Sequence, residues 1–250
     1  MPEPHSSEDL PVTVASGDVV LSHEVNEETL RILLSSVMRL WGVVDDLTRL
    51  RPERRAAFSV SIFGSARIQP GTPSYEEVKR LAASLTSMGC SVVTGGGPGF
   101  MQAANEGAVE GAPDHPERSV GIRIALEFEQ EVNPYVGESF EHGTFFSRLH
   151  HFVLRSSAFI VTPGGIGTVL ELMTVWQLLQ VRMLTGTPLI LVGDMWRDLI
   201  DWTSRHMVDK QGVDLVTPSD LEIPRCVDTI EEAIELVRPH YEAWENSHRP

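Results

Sequence analysis

The stretch SAFIVTPGGIGTVLEL (157–172) shows how this chain is built: an apolar run leads into a glycine turn, and a helical pattern follows. Residues 157–162 have the length and composition of a buried strand, and residues 167–183 have the apolar spacing of a helix. Strand–turn–helix units of this kind are typical of parallel α/β sheets. The stretch therefore predicts an α/β fold.

The same alternation recurs on both sides of this stretch. Further apolar runs of strand length occur at 58–63, 90–94, 119–124 and 188–192. Helical patterns lie between or after them at 74–88, 99–110, 144–156 and 195–208. We expect a parallel sheet with helices on both faces. Right-handed crossovers then place every strand-to-helix loop on one edge, where ligands bind in such sheets.

The N-terminal part of the chain has a different pattern. Residues 1–20 are expected to form a flexible tail. Residues 21–55 are expected to contain an amphipathic helix, because apolar positions recur at helical spacing from Asn26 to Leu50. Residues 56–250 form the α/β domain in this division. The apolar face of the N-terminal helix must cover either its own domain or a neighbouring subunit.

Composition and charge argue against several classes of function. The formal net charge is −15, which disfavours binding to nucleic acids and anionic membranes because both require a basic face. The two cysteines, Cys90 and Cys226, are far apart, so a reducing cytoplasm is expected rather than a disulfide framework. The start of the chain lacks a signal-peptide pattern, and polar residues and glycines interrupt the most apolar stretch, 158–181. We expect a cytoplasmic protein without nucleic-acid or membrane partners.

Three of the predicted strands end in small residues. The loops are GSAR (64–67), GGGPGF (95–100) and PGGIGT (163–168). Glycine lets a backbone approach a ligand closely, and the amides at the start of the following helix suit a phosphate. Thr168 adds a hydroxyl donor to the third loop. Three such turns on one edge predict a site for a nucleotide-like anion.

The common nucleotide and cofactor motifs do not fit. A P-loop needs a lysine after its glycines, yet neither Lys79 nor Lys210, the only lysines, follows a glycine. The dinucleotide fingerprint fails at its third glycine in both candidate loops. A Schiff base with pyridoxal phosphate would need one of the same two lysines. We expect no cofactor, and no metal, since the adjacent His150 and His151 face different directions on a helix.

A carboxylate and an arginine are the candidate reactive groups. Glu171 follows Thr168 by three residues, about one helical turn from the proposed phosphate site. It could bind ribose hydroxyls or orient a water, or it could simply complement the helix dipole. Arg148 could equally be an exposed helical arginine, and Met101 could serve only in packing. The residues alone leave these alternatives open.

Two motifs together resemble a known family. PGGIGTVLE (163–171) fits the pattern P-G-G-x-G-T-x-x-E, and GGGPGFMQAANEGA (95–108) fits the triple-glycine loop that accompanies it. They resemble the LOG family of cytokinin riboside 5′-monophosphate phosphoribohydrolases, often labelled lysine decarboxylase-like. IFGSARI, EFEQEVNPY, FFSR and WRDLIDW resemble its longer bacterial branch. The resemblance covers about residues 58–203.

The resemblance implies a fold, an activity and a set of site residues. The implied fold is Rossmann-like, in a homodimer or higher homo-oligomer. The implied reaction hydrolyses the N-glycosidic bond of a nucleoside 5′-monophosphate, AMP or an N6-modified AMP, to free base and ribose 5-phosphate. By position, Arg148 and Glu171 are the implied catalytic residues. The implied substrate- and phosphate-binding residues are Ser65, Gly96, Gly97, Met101, Glu129, Gly164, Gly165, Ile166, Gly167, Thr168 and Gln177.

One position departs from the family pattern. Members usually read Arg-Lys, whereas Leu149 follows Arg148 in this chain. The change could alter affinity or base preference. It also favours a second hypothesis, in which the protein is a non-enzymatic nucleotide- or cofactor-binding sensor or carrier of the same fold.

Overall fold

The computed structural model describes residues 29–37, 57–125, 132–208 and 213–248. Residues 29–37 form a helix, α1, within the first of two compact units, Met1–Arg51. The second unit, Pro52–Pro250, contains the sheet. The predicted tail (1–20) and the remainder of the interval 21–55 lie outside the described residues, so the division of the chain into a tail, a helix and a domain stays a prediction.

The described residues form one parallel sheet of seven strands. The strands are β1 (Ser59–Phe63), β2 (Ser91–Thr94), β3 (Ser119–Ile124), β4 (Glu138–His142), β5 (Ala158–Val161), β6 (Leu189–Val192) and β7 (Pro224–Val227). Their order across the sheet is β4-β3-β2-β1-β5-β6-β7. All neighbouring strands pair in parallel. The carboxyl ends of the strands therefore lie on one edge.

Helices cover both faces of this sheet. They are α2 (Pro73–Met88), α3 (Phe100–Gly111), α4 (Phe145–Arg155), α5 (Ile166–Gln180), α6 (Asp194–Met207), the short α7 (Pro218–Leu221) and α8 (Ile230–His248). Successive strand residues point to opposite faces, so Ile160 packs in the core beneath α2, α3 and α8, whereas Phe159 and Val161 pack beneath α4, α5 and α6. The predicted Rossmann-like α/β fold is confirmed.

The sequence patterns did not predict two of the strands, β4 and β7, and both lie at sheet edges. β4 reads ESFEH and alternates between half-buried and exposed positions, which hides it from a search for apolar runs. β7 begins with Pro224, a residue that sheets accept at an edge or at a strand start. The five predicted strands are present, each within one residue of its predicted bounds. Among the described helices, none has the length and hydropathy needed to cross a membrane.

Candidate functional site

A cavity of about 570 Å³ opens at the carboxyl ends of β1, β2, β3 and β5. Its walls come from the loops after these strands and from the first turns of α4 and α5. The site residues predicted from the sequence that line it are Ser65, Gly97, Met101, Arg148, Gly165, Ile166, Gly167, Thr168 and Glu171. The structure thus brings together residues from the loops after β1, β2 and β5 and from the helices α3, α4 and α5. Their assigned roles remain predictions.

Backbone hydrogen bonds hold the three glycine-containing loops against one another. The Ser65 amide donates to the Pro163 carbonyl (3.1 Å), and the Phe100 amide donates to the Ser65 carbonyl (2.9 Å). Gly99 adopts a φ of +70°, and a Cβ there would lie 2.3 Å from the Ser65 carbonyl oxygen. Glycine at 99 is therefore required both by its conformation and by the closeness of the β1 loop.

A buried polar network fixes the triple-glycine loop. The Asn133 side-chain amide donates to the Gly97 carbonyl (2.9 Å) and to Asn105 Oδ1 (3.0 Å). Thr94 Oγ1 donates to the same Asn105 oxygen (2.6 Å) and accepts from the Gly96 amide (2.9 Å). Because each buried polar group in this set has a partner, the loop is held rigidly at the floor of the cavity.

The N-terminus of α5 faces the cavity and has no side-chain cap. Gly165 is its N-cap residue, and no side chain bonds the first amides of the helix. A Cβ on Gly165 or Gly167 would meet nothing within 4 Å, so there is room for a ligand beside this turn. Unbonded amides with the positive end of a helix dipole favour an anion such as a phosphate. Thr168, in the first turn, is buried and lines the same cavity.

Glu171 and Arg148 form an ion pair in the wall of the cavity. Arg148 Nη1 lies 3.2 Å from Glu171 Oε1, and their side chains are 12% and 11% exposed. Arg148 Nε donates to the carbonyl of Ile122 in β3 (2.9 Å), and its guanidinium lies over the Phe152 ring. These contacts hold Arg148 in one orientation, and through it they hold the carboxylate.

Burial sets the protonation behaviour of this pair. Loss of water around the carboxylate raises the pKa of Glu171 to about 7, and the Arg148 charge opposes that rise without cancelling it. A carboxyl group with a pKa near neutrality can accept or release a proton under ordinary conditions. This behaviour is typical of acid–base groups at active sites. The direction of this shift agrees with the catalytic role predicted for Glu171, and that role stays a prediction.

Several predicted residues lie away from the cavity surface. Gly96, the middle glycine of the triple-glycine loop, does not line the cavity, and its amide and carbonyl are bonded within the protein. Gly164 packs on Thr168, since a Cβ would lie 2.2 Å from Thr168 Oγ1. Gln177 is exposed on α5 and does not line the cavity. Glu129 lies outside the described residues. Leu149 also contributes nothing to the cavity wall.

The cavity also contains residues that the sequence reasoning missed. Arg67, Arg123, Ile124 and Phe145 all line it. Two of them carried a readable signal, because Arg67 belongs to the GSAR loop and Arg123 lies near the end of a predicted strand. No sequence pattern indicated that Phe145 lines the cavity, because its place in the cavity wall depends on how α4 crosses the sheet. Across the described ranges, no group of three or more His, Cys, Asp or Glu side chains is placed to hold a metal ion.

Comparisons with known proteins agree with this architecture. The model of a family described as "Possible lysine decarboxylase" matches residues 101–237, more than half of the chain. The molybdenum cofactor binding protein from the phototrophic bacterium Rippkaea orientalis aligns with 73% of this chain and 96% of its own, at a TM-score of 0.54 and 18% identity. The molybdenum cofactor carrier protein of Chlamydomonas reinhardtii aligns with 73% of this chain and 98% of its own, at a TM-score of 0.52 and 16% identity. At these identities the structures share a fold. A comparison with curated protein sequences finds no match.

Proposed function

Since the chain belongs to the possible lysine decarboxylase family, the LOG-like family that its motifs resemble, we propose that it is a nucleoside 5′-monophosphate phosphoribohydrolase. The reaction would split the N-glycosidic bond of AMP, an N6-modified AMP or a related nucleotide into free base and ribose 5-phosphate. The observation that carries the proposal is the Glu171–Arg148 pair in the cavity wall, in which Glu171 lies between one and two helical turns from the uncapped N-terminus of α5.

The first step of the proposed mechanism is binding of the phosphate. The amides at the N-terminus of α5 and the Thr168 hydroxyl would hold the phosphate oxygens. This group does not react, so its binding energy serves to position the ribose. With the phosphate at this turn, the anomeric carbon would lie near the carboxylate of Glu171.

The second step is cleavage of the glycosidic bond. As the C1′–N bond breaks, its electron pair leaves with the base and positive charge develops on the ribose ring, as in glycoside hydrolysis. The Glu171 carboxylate would stabilise this charge and accept a proton from the attacking water, whose oxygen forms the new bond to C1′. The departing base takes a proton from solvent on its nitrogen, and Glu171 releases to solvent the proton that it accepted from the attacking water. Arg148 would hold the carboxylate in position.

The family label is not a guide to the reaction of this chain. Lys79 binds Glu106 (2.8 Å) and Glu110 (2.6 Å) between α2 and α3, away from the cavity wall. Lys210 lies outside the described residues. In the described part of the cavity wall there is thus no lysine to form a Schiff base, and glycosidic hydrolysis fits the residues present better than decarboxylation does.

The apolar outer face of α5 supports assembly into a homodimer or higher homo-oligomer. Ile166, Leu170 and Met173 are all exposed, and their spacing places them on one face of the helix. The opposite face of α5 is buried in the core through Leu172 and Trp176. A second copy of this chain is the occupant that we propose, in line with the assembly that the family resemblance implies. The face continues into the rim of the cavity at Ile166, which is 86% exposed.

The proposed location is the cytoplasm. Cys90 and Cys226 are both free thiols in the structure. Free cysteines are the normal state in a reducing compartment, so this observation supports the location without requiring it.

The activity can be tested with a panel of nucleoside 5′-monophosphates. Purified protein should release free base, detected by chromatography, together with ribose 5-phosphate. Glu171→Gln should lower the rate by about 10²–10⁴-fold because the amide cannot accept the proton from water. Glu242→Gln, which removes an exposed carboxylate from α8, is the matched control and should retain full activity. Undiminished base release by Glu171→Gln would contradict the mechanism.

A second candidate function is non-enzymatic binding of a nucleotide or cofactor. The observation that favours it is Leu149, which stands where family members usually have a lysine. The two structural neighbours described above are named as proteins that bind or carry the molybdenum cofactor. Tight binding of a ligand from the panel with no release of base would support this candidate over the hydrolase.

A further inference from the structure

The order of strands gives the distance between the two ends of the cavity. The phosphate site at the start of α5 follows β5, whereas Arg123 and Ile124 belong to β3 at the other end of the cavity. The strand order β3-β2-β1-β5 places three strand spacings between them, and at roughly 4.8 Å per spacing this is about 14 Å. A nucleotide whose phosphate lies at α5 can therefore direct its base towards β3.

The ion pair lies between these two ends. Glu171 extends from α5, and Arg148 meets it while also donating to the carbonyl of Ile122 on β3. If Glu171 acts at the anomeric carbon, the ribose lies between the phosphate site and Arg148. The base, on the far side of that carbon, then lies at the β3 end.

The β3 end of the cavity has apolar walls and a cation. Phe145 is 49% exposed, lines the cavity and precedes Arg148 by three residues, which places both on the same face of α4. Ile124 adds a second apolar surface. Such surfaces suit the flat faces of a purine ring. The base would lie against them with one of its edges towards Arg123.

Neighbouring residues hold the Arg123 side chain in place. Its Nη1 donates to Glu141 Oε2 (3.3 Å), and the two residues are cross-strand partners between β3 and β4. Its stem lies against the triple-glycine loop, since a Cβ on Gly96 would be 3.2 Å from Arg123 Cγ. The Arg123 side chain is only 17% exposed although it lines the cavity. Its guanidinium is therefore a positioned group rather than a mobile surface charge.

We propose that the β3 end of the cavity holds the nucleobase, and that Arg123 selects 6-oxopurines, guanine and hypoxanthine, over adenine. A guanidinium only donates hydrogen bonds. Guanine and hypoxanthine present two adjacent acceptors, O6 and N7, whereas adenine presents N7 beside the N6 amino group, which is a donor. Adenine would leave one donor facing another. This inference rests on the proposed placement of phosphate and ribose. It narrows the proposed substrate class, because GMP and IMP would be preferred over AMP and N6-modified AMP, the substrates that the family resemblance implies.

Binding measurements test the inference without requiring turnover. Calorimetric titration with GMP, IMP and AMP is done on Glu171→Gln, which should bind nucleotides with little turnover, and the Arg123 variants are made in the same background. It should give similar dissociation constants for GMP and IMP, and about tenfold weaker binding of AMP. GMP and IMP should be alike because they share O6 and N7 and differ only at the 2-amino group. Equal affinity for all three nucleotides, or a preference for AMP, would overturn the proposal.

Two variants of Arg123 identify the residue responsible. In Arg123→Gln, the glutamine amide can donate to N7 of adenine and accept from its N6 amino group, so the preference should shift towards AMP. Arg123→Lys still only donates and should retain a weaker preference for GMP and IMP. Arg225→Gln makes the same change of charge on the exposed side of β7 and should leave all three dissociation constants unchanged. A uniform loss of affinity in Arg123→Gln would instead indicate a phosphate contact and refute the base subsite.

Base release, measured in parallel, separates this inference from the proposed function. If none of the nucleotides yields free base, the hydrolase proposal fails, while the ratio of dissociation constants still decides the role of Arg123. If all are hydrolysed but AMP binds as tightly as GMP, the hydrolase proposal stands and the inference about Arg123 is wrong.

Discussion

The protonation of Glu171 should be visible in the stability of the protein. Burial raises the pKa of this carboxyl from its ordinary value of 4.5 to about 7 in the folded protein. At about 1.4 kcal/mol for each tenfold change in the proton equilibrium, the difference corresponds to about 3 kcal/mol. Between these two values the folded state binds more protons than the unfolded state, so the stability of the protein falls as pH rises.

The Glu171→Gln variant isolates this effect. Its neutral amide does not titrate, and the cost of leaving Arg148 without a carboxylate partner is the same at every pH because arginine stays charged. Over a practical range from about pH 5.5 to about pH 8.5, the wild type should lose about 2 kcal/mol of unfolding free energy relative to the variant. The measurement is urea denaturation of both proteins at several pH values.

The same denaturation experiment includes a control variant and has a result that would refute the prediction. Glu242→Gln removes an exposed carboxylate and should follow the wild-type curve across the range. Parallel curves for wild type and Glu171→Gln would show that the carboxylate has no raised pKa, and the proton-accepting role assigned to it would then lose its physical basis.

Three further results are expected. The kcat/KM of base release should rise with pH through about 7 and then level off. In Arg148→Gln this rise should move to higher pH, because the positive charge that lowers the pKa of Glu171 is gone. A pH–rate series on both proteins checks these expectations. Gly164→Ala should destabilise the protein by about 1–3 kcal/mol and weaken nucleotide binding, since its Cβ would overlap Thr168 Oγ1, as denaturation and titration would show. Leu170→Glu should shift the mass measured by light scattering from dimer to monomer, because it places a charge on the exposed apolar face of α5.

The sequence was sufficient for the central part of the fold, and the reason is physical. Strands that are buried on both faces are mostly apolar, so β5 (AFIV) and β6 (LILV) stand out as continuous apolar runs, and β1 and β2 interrupt such runs only with the small polar residues Ser and Thr. The edge strands β4 and β7 are paired on one side only and carry polar residues or proline, which removes that signal. Their presence depends on pairing with β3 and β6, which local sequence does not encode.

The candidate site was predictable where it depends on short spacings. Glu171 follows Thr168 on one helix, and the structure places both at the cavity. Longer-range contacts do not follow from local spacing, although the family resemblance already implied that Arg148 and Glu171 belong to one site. The 3.2 Å contact between Arg148 and Glu171 joins two different helices, and Asn133 reaches the triple-glycine loop across 36 residues of sequence. Arg123 lines the cavity because of the position of β3 in the sheet, and no single sequence motif predicts that position.

The most direct measurement is a crystal structure of Glu171→Gln bound to a nucleoside 5′-monophosphate. The account predicts the phosphate at the amides of residues 165–168, the anomeric carbon next to residue 171 and the base at the β3 end, near Arg123. A phosphate bound at the triple-glycine loop, or a sugar turned away from residue 171, would contradict it.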